Sequence, residues 1–122
     1  MIDGLIAAEA SNQQITQADS TAHAEMVLVR RAQSQGGADA LRGATVYASG
    51  EPCAMCCGAL FWAGVRRVVY AASQAEMTRI MGGSTLPIAA RAVLAGASRA
   101  VQVDGPWLEA EAGGVLQAAA AR

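Results

Sequence analysis

Apolar positions along this chain switch between a two-residue and a helical spacing, and the switches mark its elements. The apolar run Leu5–Ala8, directly after Asp3-Gly4, predicts a short strand. Ser11–Ser20 is polar and without a period, which predicts a loop. Met26, Val29, Arg30 and Gln33 fall at helical spacing, with Val27, Leu28 and Ala32 beside them. They predict a helix from about Thr21 to Gln35, stopped by Gly36-Gly37. Thr45–Ala48 predicts a second strand. Pro52 suits a first helical turn and predicts a helix to about Ala63, ended by Gly64. Val65–Ala71 is dense in β-branched residues and reads as the strongest strand. Gln74–Met81 predicts a short helix, Gly82-Gly83-Ser84 a break, Pro87–Ala95 another helix and Ala100–Val103 a last strand. Trp107–Ala121 predicts a closing helix. Gly113-Gly114 weakens it by roughly 1 kcal/mol per glycine.

Strands alternating with helices need crossover connections. The class is therefore α/β, with parallel strand pairs and helices on both faces of the sheet. One feature breaks the pattern. Asp-Gly between apolar residues is a strong hairpin signal, and a hairpin needs two strands of comparable length. Only Met1-Ile2 precede Asp3-Gly4. The expectation is a domain that starts late, with a further helix and apolar strand encoded upstream.

The length of 122 residues suits one domain over 1–122. Apolar residues make up 53 %, which excludes a disordered chain. No apolar run approaches the ~20 residues of a membrane span. Met1-Ile2-Asp3-Gly4 lacks the pattern of a signal peptide, so the expected location is cytoplasmic. Net charge is −1, with nine Arg and no Lys. A dedicated nucleic-acid binder shows a basic surplus, because phosphate contacts supply most of its affinity. Arg30-Arg31 and Arg66-Arg67 read as solvated faces.

Three cysteines, two of them closely spaced, point to metal chemistry and not to a disulfide framework. Cys53 and Cys56 lie three apart at a helix start, so they share a face. A helix N-terminus favours thiolates. His23, the one histidine, sits at the start of the preceding helix. Parallel strands deliver successive helix N-termini to one sheet edge, where His23 can meet the two cysteines. Three protein ligands leave a fourth position for water, as catalytic zinc sites do. One zinc per chain is expected. Cys57 points about 100° away from Cys56 on the helix and reads as a small buried residue.

Glu25 supplies what such a site needs. Zinc lowers the pKa of bound water to ~7, which makes a nucleophile for an electron-poor ring carbon bearing an amino group. A carboxylate then carries a proton from that water to a ring nitrogen and on to the departing amine. Residues i and i+2 diverge on a helix, so His23 and Glu25 meet the metal together only at the helix end. A core histidine with a redox cysteine pair is the competing reading of the same residues. H-x-E followed by P-C-x-x-C is the zinc deaminase signature.

On DGLIAAEASNQ, STAHAEMVLVRRA and ATVYASGEPCAMCCGALFWAGVRRVVYAAS the chain resembles the cytidine deaminase-like superfamily. It is most similar to the branch of bacterial guanine deaminases and tRNA adenosine deaminases. The resemblance covers Ile2 to about Ala72 and weakens after Ser73. It implies a three-layer α/β/α sandwich with a mixed, five-stranded sheet, here without the first helix and first strand, and commonly a homodimer. By position it matches His23, Cys53 and Cys56 to the zinc ligands and Glu25 to the proton shuttle. It also matches Asn12, and the backbone N–H of Ala24, to contacts with the substrate base. From the residues alone, Asn12 also reads as a turn former after a strand. Pro52 sets the helix start, and Glu51 has a part in ordering that turn without a catalytic assignment.

Phe61-Trp62-Ala63 resembles the guanine deaminase branch, with Trp62 expected to stack on the base. Core packing against the sheet is the other reading of Trp62. The favoured substrate is a guanine-type purine base. A tRNA adenosine, a cytosine-type base, and an inactive zinc-binding scaffold are the alternatives. A homodimer is expected on physical grounds too, since an unfilled sheet position exposes backbone groups and apolar faces.

Overall fold

The computed structural model describes residues 1–120. Its elements are α1 (Ala24–Gly36), β1 (Thr45–Gly50), α2 (Ala54–Trp62), β2 (Arg67–Ala72), α3 (Gln74–Met81), α4 (Ala90–Leu94), β3 (Gln102–Asp104) and α5 (Glu109–Ala120). The α/β class is as expected. The strands form a parallel sheet in the order β1-β2-β3.

Val46, Val68 and Val103 are register partners across the three strands. Strand alternation puts them on one face. Val46 and Val68 pack with Ala32 of α1, with Leu60 of α2 and with Ala63, which caps that helix. Val103 packs with Cys57 of α2 and with Ala90 and Leu94 of α4. This face holds the core. α5 packs against β2 and α3. Tyr47, Val69 and Ala71 line a shallow cavity with Trp107 and Leu108, and Tyr47 stays 60 % exposed. Cover on that side of β1 is incomplete. No described helix is long and apolar enough to cross a membrane.

The Asp3-Gly4 turn forms as its sequence demands. Both residues have positive φ, 51° and 75°, the pattern of a two-residue hairpin turn. Ile2 and Leu5 exchange both backbone hydrogen bonds at 3.0 Å. The strand expected over Leu5–Ala8 does not follow, because none of the described residues pairs with it beyond this bridge. Leu5 and Ile6 are exposed. The antiparallel part of the expected mixed sheet reduces to Met1, whose backbone exchanges hydrogen bonds with Thr45.

Other boundaries shift for local reasons. α1 begins at Ala24, not Thr21, because Asp19 Oδ1 accepts from the Thr21 N–H and hydroxyl and holds a turn there. α2 begins at Ala54, with Cys53 as its cap and Pro52 ahead of it. β2 runs two residues later at its start, and Gly64, at φ 86°, makes the turn before it. α4 holds five residues only; Ala89 is its extended cap, and ahead of it the Ile88 N–H bonds the Leu86 carbonyl in a tight turn about Pro87. β3 starts at Gln102 rather than Ala100. Trp107 and Leu108 precede α5, since Leu108 has a φ of 51° that a helix excludes. The expected end of that helix, Ala121, lies outside the described residues.

Candidate metal centre

His23 caps α1 and Cys53 caps α2, both with extended backbone. Neither side chain bonds its own helix. Both are free to face each other, and His23 Nδ1 lies 3.6 Å from Cys53 Sγ. Cys56, one turn into α2, is fully buried. One ligand atom from each of His23, Cys53 and Cys56 lies within 4.8 Å of the others. Tetrahedral zinc, with bonds of about 2.3 Å to sulfur and 2.0–2.1 Å to nitrogen, spaces its ligand atoms about 3.5–3.8 Å apart. The three residues fit that ion.

The electrostatics agree with the geometry. Burial pushes the Cys56 thiol well up, and Glu25 and Cys53 push it further. A carboxylate and two sulfurs thus converge where a cation relieves the repulsion. Cys57 is different. Burial, followed by Cys53, Glu51 and Glu25, pushes its thiol up to about 12. Its Sγ donates to the Pro52 carbonyl at 3.5 Å. It is a buried thiol outside the ligand group.

Glu25 lies in the first turn of α1, close enough to Cys56 to raise its pKa. The divergence of i and i+2 is resolved because His23 is outside the helix, as its cap. Ala24 is the first helical residue, so its N–H has no partner within the helix. Ala24 and Glu25 also line a groove of about 530 Å³ between the 6–10 segment and β1. None of the three candidate ligands lines it.

Asn12 sits in an exposed turn. Its Oδ1 accepts from the Gln14 N–H at 3.0 Å, and its Nδ2 donates to Gln14 Oε1 at 2.7 Å. The turn-forming reading is therefore met, and one amide hydrogen is left for another acceptor. Trp62 is not brought to the centre. Nine helical rises from Cys53 amount to about 13 Å. Its side chain is 84 % exposed and meets Phe61 edge-on at 5.1 Å. This exposure corrects the expectation that Trp62 packs in the core.

Two supporting residues escaped the sequence reading. Asp19 and Gln14 order the loop before His23, with Gln14 Nε2 donating to the Ser20 carbonyl at 3.1 Å. The signal for Asp19 was present as Asp-x-Thr just ahead of a helix. Gln14 carries no local signal.

Residues 1–72 match the family model described as the cytidine and deoxycytidylate deaminase zinc-binding region. The guanine deaminase of Bacillus subtilis (strain 168) is 45 % identical over 74 residues, which is 61 % of this chain and 47 % of that protein. The tRNA-specific adenosine deaminase of the same organism is 43 % identical over 72 residues, 59 % of this chain and 45 % of that one. The chain thus spans about half the length of these curated relatives. A solved guanine deaminase from Nitrosomonas europaea superposes with a TM-score of 0.70 at 27 % identity, over 93 % of this chain and 64 % of its own. With the model matching more than half the chain and a His-Cys-Cys centre built to hold zinc, this protein belongs to the cytidine and deoxycytidylate deaminase zinc-binding family.

Proposed function

We propose that the chain is a zinc-dependent hydrolytic deaminase of a free purine base of the guanine type. The observation that carries this is the meeting of His23, Cys53, Cys56 and Glu25 at two adjoining helix starts. Zinc, when bound by His23, Cys53 and Cys56, supplies a water activated at neutral pH. Glu25 takes a proton from that water, delivers it to a ring nitrogen, and passes a proton to the departing amine. The carbon–oxygen bond forms, the carbon–nitrogen bond breaks, and ammonia leaves. The free N–H of Ala24 and the remaining amide hydrogen of Asn12 are suited to hold the edge of the base.

A free base fits the charge better than tRNA does. Net charge is −1, and Arg67 is tied to Asp104 through Nε–Oδ2 at 2.6 Å, leaving Arg66 as the exposed member of its pair. Phosphate recognition needs several free cations. The test is one zinc per chain by elemental analysis, then ammonia release from guanine, cytosine, nucleosides and tRNA. Guanine is expected to be turned over fastest. Fastest turnover of tRNA or cytosine moves the substrate to that class. Full zinc with no ammonia from any of them makes the chain a scaffold.

We also infer a homodimer. Trp62 is 84 % exposed and Tyr47 60 %, and large aromatic surfaces of this kind favour a covering partner. Sedimentation at micromolar concentration is expected to show a dimer, and a monodisperse monomer overturns it.

A further inference from the structure

We infer that Glu51 is a positioning residue for the metal centre, its carboxylate joining the starts of α3 and α4 to the strand end that carries Pro52 and Cys53. The inference rests on the ligand assignment proposed above. Glu51 is the buried charged residue of the described chain, 8 % exposed. Each carboxylate oxygen has its own donor. Oε1 accepts the Gln74 N–H at 2.9 Å, and Oε2 accepts the Ala90 N–H at 2.7 Å. Gln74 and Ala90 are the first residues of α3 and α4. Their N–H groups have no partner within their own helices and need one elsewhere.

The same residue is fixed along its backbone. The Glu51 N–H donates to the Ala72 carbonyl at 2.7 Å, which extends the β1–β2 ladder to the threshold of the centre. The Gln74 side chain returns the tie, its Nε2 donating to the carbonyls of Pro52 and Ile88, both at 3.0 Å. Three elements are thus locked together two residues ahead of Cys53. His23 arrives from α1, outside this knot. The distance between His23 and the cysteines therefore depends on how firmly the knot holds the start of α2.

The chemistry of the junction asks for a carboxylate. Two convergent N–H donors need two acceptor oxygens. A glutamine offers one oxygen and one NH₂, so one N–H meets another donor and is left buried and unpaired. An aspartate is one methylene short of both.

The experiment compares zinc release to a chromogenic chelator, and the thiolate-to-metal absorption of the cobalt-loaded protein. It uses the full chain, Glu51→Gln, Gln74→Ala and Leu94→Ala. Leu94 is buried on α4 but bonds neither Glu51 nor Gln74, so its variant reports general destabilisation. Supporting groups around metal ligands are typically worth 10–100-fold in metal affinity. Glu51→Gln is expected to release zinc about tenfold faster than Leu94→Ala and to shift the cobalt spectrum. Gln74→Ala, which keeps the Glu51 bonds and loses the Pro52 tie, is expected to lie between. If Glu51→Gln does not fold, Gln74→Ala decides the matter against Leu94→Ala. Release and spectra equal to those of the Leu94→Ala control overturn the inference. A wild-type chain that binds neither zinc nor cobalt overturns the ligand assignment, and this inference with it.

Discussion

Glu25→Gln is expected to keep a full zinc and to lose turnover. Glu25 is not in the ligand group, so the amide leaves His23, Cys53 and Cys56 intact. Glutamine has nearly the shape of glutamate but cannot take up and return a proton. Loss of a general acid–base group typically lowers a rate by ~10²–10⁴. The loss here is expected at the upper end or beyond, because one carboxylate handles every transfer in the proposed cycle. The same change removes the negative charge that helps push up the Cys56 thiol, so zinc affinity is not expected to rest on Glu25. Zinc content by elemental analysis and kcat for ammonia release, measured on one preparation, check the two halves separately. Near-wild-type kcat in a zinc-replete variant removes Glu25 from the mechanism. A variant without zinc moves Glu25 into the structural support of the centre.

The metal centre was legible in the sequence because its parts are scarce and closely spaced. With a single histidine and one C-x-x-C after a proline, few arrangements remain. Helical and β-branched spacing likewise set α1, β1, α2 and β2 to within a few residues. What sequence could not show depends on contacts between distant segments. The bonds from Glu51 to Gln74 and Ala90 span 23 and 39 positions. No local pattern at Glu51 distinguishes a buried double cap from a turn residue. Leu5–Ala8 reads as a strand by composition, but a strand exists only where a neighbour completes its ladder. The core-packing reading of Trp62 failed for a related reason, since its side chain ends 84 % exposed. Trp62 is the last residue of α2, and apolar character alone does not show which residues of a helix end meet the sheet.

Removing one sulfur is expected to have the other large effect. Cys56→Ala leaves two ligands, His23 and Cys53, for an ion that structural and catalytic sites hold with at least three. Zinc content is expected to fall from one per chain to a small fraction, and ammonia release to background. Folding is linked to the metal as well. A ligand that binds only the folded state stabilises it by about 4 kcal/mol at a thousand times its Kd. The wild-type melting temperature is therefore expected to drop when a strong chelator is added, while Cys56→Ala melts at one temperature with or without it. Acid acts in the same direction. Burial and the neighbouring Glu25 and Cys53 raise the Cys56 thiol, so without metal it holds its proton through neutral pH. Binding must release that proton, and apparent affinity falls as pH falls. Each proton released corresponds to about tenfold in apparent affinity per pH unit. The zinc dissociation constant, measured by competition and corrected for the chelator's own protonation, is thus expected to rise steadily from pH 8 to pH 6. A dissociation constant that ignores pH, or a Cys56→Ala protein that keeps its zinc, puts the metal on other residues.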